Sequence, residues 1–307
     1  MKRITLHIVL FSLPIMLLVF LFPQDKKQVY ASLKDDCDNR ANWMYQRIYE
    51  NPMPVDIAFI GSSRTENSIN ERLLEYYIPE YRTLNFAYCR YGRNLHYVLI
   101  QTLIDEKQLK SVVLEVRQEE NPYSHPVGAY FMENEDLLSS YPFFNKDWFG
   151  DWATAFQFRL QLTQESIFDN QMELIPDSNE YGFYPNYTVP DLTEIEQEKM
   201  ERQNGVEKED FKRKMENTYP LHYLNKIGQL CEENNVRLIF LYLPSYGVPQ
   251  TEPTHADFYR KHGTLLIPPN NILQNINNWA DPNHFNPDGS VLMSRWLGEE
   301  LVKKMEK

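Results

Sequence analysis

The fold of this chain is decided by residues 55–65, which read Val-Asp-Ile-Ala-Phe-Ile-Gly-Ser-Ser-Arg-Thr. A short apolar run that ends at a glycine is typical of a strand buried on both faces, as in a parallel sheet. The Gly-Ser-Ser that follows lies where such a strand turns into a helix, which exposes hydroxyl groups at the rim of the sheet. Residues 55–65 therefore predict a strand–turn–helix unit with polar side chains at its turn.

Later segments repeat this apolar character. They are Thr83–Ala87, Val112–Val116, Val236–Leu243 and Thr264–Ile267. Helical patterns lie between them; Leu95, Leu99 and Leu103, for example, recur on one helix face. Strands that alternate with helices form βαβ units. We therefore predict an α/β fold, a three-layer, doubly wound parallel sheet of the flavodoxin-like kind.

Length and charge limit the alternatives. The chain has 307 residues, enough for one large domain with an insertion. Its formal net charge is -12, and because phosphate backbones bind basic surfaces we expect no nucleic-acid partner. We expect the main domain over residues 55–307. An aromatic-rich insertion over about residues 117–205 is expected to form a substrate cap, a membrane-facing surface or packing against the sheet.

The N-terminus predicts a membrane anchor. Lys2 and Arg3 precede the apolar run Ile4–Phe22, whose length suits one crossing of a bilayer. We expect residues 1–24 to be an uncleaved signal anchor and residues 25–54 a juxtamembrane helix. The basic flank places the N-terminus inside and the remaining chain outside the cytoplasmic membrane. The alternative is a protein secreted after signal-peptide cleavage.

The cysteines are too few for a disulfide framework. Cys37, Cys89 and Cys231 are far apart in the sequence and form no Cys-x-x-Cys pair. We expect three unpaired thiols. A single bridge from Cys231 to Cys37 or to Cys89 is the alternative in an oxidising compartment.

A second polar cluster lies near the C-terminus. Residues 281–289 read Asp-Pro-Asn-His-Phe-Asn-Pro-Asp-Gly and precede an amphipathic helix. Asp281 stands three residues before His284, so both side chains belong to one loop. The carboxylate can therefore reach the imidazole and fix its tautomer. The imidazole can then take the proton of a serine that the fold brings close. Because a Gly-x-Ser follows the first strand and an Asp-x-x-His precedes the last helix, we predict Ser63, His284 and Asp281 as catalytic residues.

These motifs together resemble the SGNH/GDSL hydrolase family. The resemblance runs from about Val55 to the C-terminus, outside the insertion, and implies Ser63 as the nucleophile, with Ser62 in place of the usual aspartate. The segment from Asn85 to Gly92 is similar to the second family block, which contributes to the oxyanion hole.

The third family block, Gly-x-Asn-Asp, is missing. After the strand at residues 112–116 the chain reads Arg-Gln-Glu-Glu-Asn, where Gln118 or Asn121 would have to donate in its place. The resemblance therefore implies Gly92, Asn85, Asn121 and Ser62 as oxyanion or substrate-binding residues, and it leaves open whether the oxyanion hole is complete.

The anchor and the Gly-Ser-Ser variant are similar to the membrane-anchored branch of this family, which includes the D-alanyl transfer and alginate O-acetylation proteins. This likeness implies a serine esterase or O-acyltransferase that acts on an acylated carbohydrate or cell-envelope polymer, beside a membrane-bound O-acyltransferase. We expect no metal, because the histidines lack ligand spacing, and no organic cofactor. The alternative is a non-catalytic accessory protein with the same fold, which binds a polymer or a membrane acyltransferase.

Overall fold

Within the described residues, the sheet of the computed structural model contains five strands. The structure describes residues 10, 11, 13, 14, 19–131, 145–168, 172–204 and 210–305, with residues 210–214 as backbone only. The strands are β1 (Ile57–Ile60), β2 (Thr83–Asn85), β3 (Ser111–Val116), β4 (Arg237–Tyr242) and β5 (Thr264–Leu266). Their spatial order is β2-β1-β3-β4-β5, and every neighbouring pair is parallel.

Helices connect these strands. Those with described bounds are α1 (Lys26–Ser32), α2 (Arg40–Tyr45), α3 (Ser63–Ser68), α4 (Glu71–Tyr77), α5 (Arg93–Glu106), α6 (Gly128–Phe131), α7 (Trp148–Ile167), α8 (Leu192–Gln203), α9 (Asp210–Glu233), α10 (Ala256–His262), α11 (Asn270–Leu273) and α12 (Pro287–Met305). A π-helical turn covers Gln46–Glu50, and a 3₁₀ turn covers Ile276–Asn278.

Helices cover both faces of the sheet. Successive side chains of a strand point to opposite faces, so Ala58 and Ile60 join one buried cluster while Ile57 and Phe59 join another. The first cluster includes apolar residues of α5 and α9, and the second includes those of α4 and α12. The predicted α/β fold with a parallel sheet is therefore confirmed, and each predicted strand lies within two residues of an observed one.

The strand order creates a crevice at one point of the sheet. The chain passes from β1 to β2 on one side, and β3 then pairs with β1 on the other side. Ligands of open α/β sheets bind where the order reverses in this way, beyond the carboxyl ends of the strands. Ile60 pairs with Leu114, so Gly61 continues β1 beside Glu115 of β3. This register brings the Gly-Ser-Ser turn to the crevice.

The N-terminal segment differs from the predicted single juxtamembrane helix over residues 25–54. It consists of α1, α2 and the π-helical turn, because Cys37, Asp38 and Asn39 adopt left-handed backbone angles that interrupt a right-handed helix. Trp43 and Met44 are buried in the same cluster as the sheet. The segment thus packs as part of the α/β core.

Most of the predicted anchor lies outside the described residues, which cover only part of Ile4–Phe22. Among the residues that the structure describes, none of the helices has the length and apolar character needed to cross a bilayer.

The insertion is described in part, since residues 132–144 and 169–171 lie outside the described ranges. Its helix α7 packs against the N-terminal segment. Phe158 and Leu162 form a buried cluster with Val29, and the ring centroids of Trp152 and Phe20 lie 5.7 Å apart. Residues 172–191 follow without helix or strand.

Candidate active site

The turn after β1 exposes Ser63 and buries Ser62. Ser62 has an extended backbone and caps α3, because its Oγ accepts a hydrogen bond from the Arg64 N–H at 3.1 Å. Ser63 is then the first helical residue and is half-buried, whereas Ser62 is fully buried. Glycine is required just before them, since a Cβ on Gly61 would lie 2.6 Å from the Glu115 carboxylate.

The structure brings the three predicted catalytic residues into one chain of hydrogen bonds. Ser63 Oγ lies 2.8 Å from His284 Nε2. His284 Nδ1 lies 2.8 and 2.9 Å from the two oxygens of Asp281. If Nδ1–H donates to the carboxylate, Nε2 is left to accept the Ser63 hydroxyl proton, which is the tautomer that a general base needs.

Asp281 is held in its ionised form. Burial alone would raise the pKa of Asp281, but the hydrogen bond and charge of His284 and two backbone N–H groups together lower it. These N–H groups belong to Asn283 and His284 and lie 2.8 and 3.0 Å from Oδ1. The carboxylate is therefore fixed in position and charged when the imidazole gains a proton.

The loop that contains His284 ends at a capped helix. Asn286 Oδ1 accepts the Gly289 N–H at 2.9 Å, and Pro287 begins α12. Proline suits the first helical position, where its missing N–H costs no hydrogen bond. The start of α12 thus fixes the direction from which His284 reaches Ser63.

Glu115 and Arg117 are part of this site and were missed by sequence reasoning. The buried Glu115 carboxylate accepts hydrogen bonds from Ser62 N–H at 2.8 Å, Thr65 Oγ1 at 2.8 Å and Arg117 Nε at 2.7 Å. Burial would raise the pKa of Glu115, but the charges of Arg117 and Arg64 and these hydrogen bonds lower it to about 2. Glu115 could have been recognised from the sequence, because it is the one charged residue in the predicted strand Val112–Val116.

Arg64 and Arg202 hold the loop between Asp281 and His284. Arg64 donates to the Leu243 carbonyl at 3.0 Å and to Asn283 Oδ1 at 2.9 Å. Arg202 of α8 donates to the Pro282 carbonyl at 3.2 Å. Neither contact was predictable from the sequence, because the partners are far apart along the chain.

The residues predicted to bind the oxyanion make different contacts in the structure. Both N–H groups of the Asn85 amide donate to backbone carbonyls, those of Thr65 and Ile69 at 3.0 and 3.1 Å. Asn85 therefore holds the end of α3 and has no N–H left for a substrate. Gly92 is the N-cap of α5, packed so closely against the His125 backbone that a Cβ would clash there.

Asn121 is also partly engaged. Its Nδ2 donates to the Tyr91 carbonyl at 3.1 Å. It lines a cavity of about 340 Å³ together with Arg64 and Arg117. Ser63 and His284 do not line this cavity, which opens beside the Gly-Ser-Ser turn.

The insertion reaches the site through residues 184–186. The Tyr184 N–H donates to the Glu66 carbonyl at 3.1 Å, and Asn67 Nδ2 donates to the Tyr184 carbonyl at 2.7 Å. Asn186 Nδ2 lies 3.4 Å from Asp281 Oδ2. This part of the insertion therefore fixes α3 and lies against Asp281.

The cysteine prediction is wrong in both its forms. Cys37 is paired with Cys89, with 5.8 Å between their Cα atoms, and Cys231 is free and buried. The turn before α2 and the loop after β2 meet in space, whereas Cys231 belongs to α9 and packs into the core. Within the described residues, Asp36, Cys37 and Cys89 have the spacing of metal ligands, but disulfide-bonded cysteines offer no thiolate to a metal.

Neither family models nor curated proteins match this chain. What is known of the site therefore rests on its own residues and their geometry.

Proposed function

We propose that this chain is a serine esterase or O-acyltransferase of the SGNH type, built on a three-layer, doubly wound fold. The observation that supports this most is the chain of hydrogen bonds from Asp281 through His284 to Ser63, at the crevice where the strand order reverses. A nucleophile, a base that contacts it and a third group that orients the base are the parts that acyl transfer needs.

The chemistry follows from these positions. Ser63 Oγ adds to the acyl carbonyl carbon while His284 Nε2 takes the hydroxyl proton, and the π electron pair of the carbonyl moves onto its oxygen. Collapse of this tetrahedral species expels the alcohol, which receives the proton from His284. Water or an acceptor hydroxyl then attacks the Ser63 ester in the same way, giving hydrolysis or transfer.

The N–H of Ser63 suits the first oxyanion donor. The neighbouring N–H groups of Ser62 and Arg64 are bound to Glu115 and to Ser62 Oγ. No acceptor for the Ser63 N–H is present among the residues that the structure describes. It is therefore free to stabilise negative charge on the carbonyl oxygen.

We further propose a location outside the cytoplasmic membrane, with Ile4–Phe22 as the single-pass anchor. The Cys37–Cys89 disulfide supports an oxidising compartment, because cytosolic thiols are kept reduced. The family resemblance supports an acylated carbohydrate or cell-envelope polymer as substrate, and a membrane-bound O-acyltransferase as partner. A non-catalytic accessory role is the second candidate, favoured by the missing third block.

Four variants of the full chain, purified in detergent, test this proposal with a small ester substrate. Ser63→Ala and His284→Ala should each lower kcat by several orders of magnitude. Asp281→Asn should lower it less, since the carboxylate orients the imidazole without contacting the substrate. Ser62→Ala should retain the most activity, because Ser62 is buried against Glu115. A folded wild type without turnover would instead support the accessory role.

A further inference from the structure

Arg117 lies beside the nucleophile turn and is held there from several directions. It is the first residue after β3, the strand that pairs with β1. Its Nε donates to Glu115 Oε1 at 2.7 Å, and its Nη2 donates to Ser62 Oγ at 2.6 Å. The guanidinium carbon lies 4.2 Å from the ring centroid of Tyr91. These contacts fix the plane of the guanidinium group before any substrate arrives.

The outer edge of this guanidinium remains open. An arginine has five N–H donors, and two of those of Arg117 are bound to Glu115 and Ser62. No protein acceptor is bound to the others within the described ranges. The Arg117 side chain keeps 21% of its surface exposed and lines the cavity of about 340 Å³. The guanidinium therefore contacts Ser62, the residue before Ser63, and is partly exposed beside that turn.

Three other side chains near this turn already donate hydrogen bonds, in full or in part. Both Asn85 amide N–H groups bind backbone carbonyls. Asn121 donates to the Tyr91 carbonyl. Arg64 directs its guanidinium to the Leu243 carbonyl, Ser245 and Asn283. Arg117 combines a fixed position with free donors, and it stands where the resemblance expects the third block.

We propose that Arg117 donates a hydrogen bond to the carbonyl oxygen on which negative charge develops when Ser63 attacks, in place of the missing third-block asparagine. This inference rests on the proposed acyl-transfer function. Arg117 donates a hydrogen bond in this step and transfers no proton. The hydrogen bond strengthens as the π electron pair moves onto oxygen, so it lowers the barrier more than it strengthens substrate binding. The Glu115 carboxylate holds the donor in place.

Chemical rescue of Arg117→Ala tests the proposal in the full chain. The substitution should lower kcat on a small aryl ester by about 100-fold, as loss of one oxyanion donor does, with KM changed by only a few-fold. Methylguanidinium should restore much of the lost rate, because the adjoining cavity admits it to the vacated position. Sodium chloride at equal ionic strength should restore none. Arg260→Ala is the matched control, since Arg260 is half exposed and paired with Glu252, and its kcat should equal that of wild type.

A second variant covers the case in which Arg117→Ala does not fold. Arg117→Lys keeps a positive charge beside Glu115 but loses the planar, two-pronged donor. A boronic acid that forms a tetrahedral adduct with serine should bind this variant at least tenfold more weakly, in parallel with the fall in kcat/KM, while KM stays near the wild-type value.

Two results would overturn the role of Arg117. One is wild-type kcat in both folded variants. The other is lost activity without methylguanidinium rescue and without weaker boronate binding, which would make Arg117 a structural residue only. Either result leaves the proposed function standing if the wild type turns over. A folded wild type without turnover removes the proposed function and this inference with it.

Discussion

Replacement of Glu115 by glutamine tests the buried hydrogen bonds that support the Gly-Ser-Ser turn. The Glu115 carboxylate accepts hydrogen bonds from Ser62, Thr65 and Arg117 in the buried space under the Gly-Ser-Ser turn. Glutamine keeps the shape of the side chain but removes its charge and one acceptor oxygen. The loss leaves the Arg117 charge without its partner and the Ser62 turn with weaker support.

The expected loss of folding free energy follows from the lowered pKa of Glu115. Its pKa is lowered from 4.5 to about 2 in the folded protein, and at 1.36 kcal/mol for each pH unit this corresponds to about 3 kcal/mol of folding free energy. Because the folded pKa is the lower one, this contribution is complete above pH 4.5 and is lost as the pH falls toward 2. About 2 kcal/mol of it should be gone by pH 3.

Urea unfolding of the two proteins, followed by tryptophan fluorescence, measures this contribution. Glu115→Gln should be less stable than wild type by about 3 kcal/mol at pH 7, and the difference should shrink to about 1 kcal/mol at pH 3. Glu80→Gln makes the same chemical change at an exposed residue and should stay within about 0.5 kcal/mol of wild type at both pH values. A Glu115→Gln difference of equal size at pH 7 and pH 3 would refute an ionised Glu115 in the folded protein.

Further outcomes concern the cysteines, the histidine loop and the topology. Denatured, unreduced protein should contain one reactive thiol, that of Cys231; three thiols would contradict the Cys37–Cys89 bridge. Cys89→Ser should lower the free energy of unfolding by about 2–4 kcal/mol, because it opens a loop that spans 52 residues; an unchanged value would contradict this. Arg202→Ala should lower kcat by up to about 100-fold with little change in melting temperature, since it releases the Pro282 carbonyl beside the triad; an unchanged kcat would show that the loop is held without it. A C-terminal reporter that works only in the cytoplasm should be inactive when fused to the full chain, and clear activity would contradict the predicted anchor orientation.

The sheet was predictable from local pattern. Strand β1, for example, is the short apolar run Ile57–Ile60 that ends before Gly61, which is typical of a parallel strand covered on both faces. The positions of Ser63 and His284 were also predictable, because each lies in a turn that neighbouring residues define. Ser62 caps α3, and Asn286 caps α12.

Contacts between residues far apart in the chain could not be predicted from the sequence. Glu115 and Ser62 meet because β3 pairs with β1, which a reading of either strand alone does not show. Cys37 and Cys89 meet only because left-handed residues turn the N-terminal segment toward the loop after β2. Asn85 fits a family block by residue type, yet its amide is used by Thr65 and Ile69, which only the folded chain reveals.

Covalent labelling shows whether Ser63 is a nucleophile activated by His284. A fluorophosphonate probe reacts with an activated serine and remains attached, so mass spectrometry of the digested full chain identifies the labelled residue. The label should be found on Ser63, should disappear in Ser63→Ala and in His284→Ala, and should persist in Ser62→Ala. A folded wild type that takes no label, or one labelled on Ser62 or elsewhere, would contradict the account.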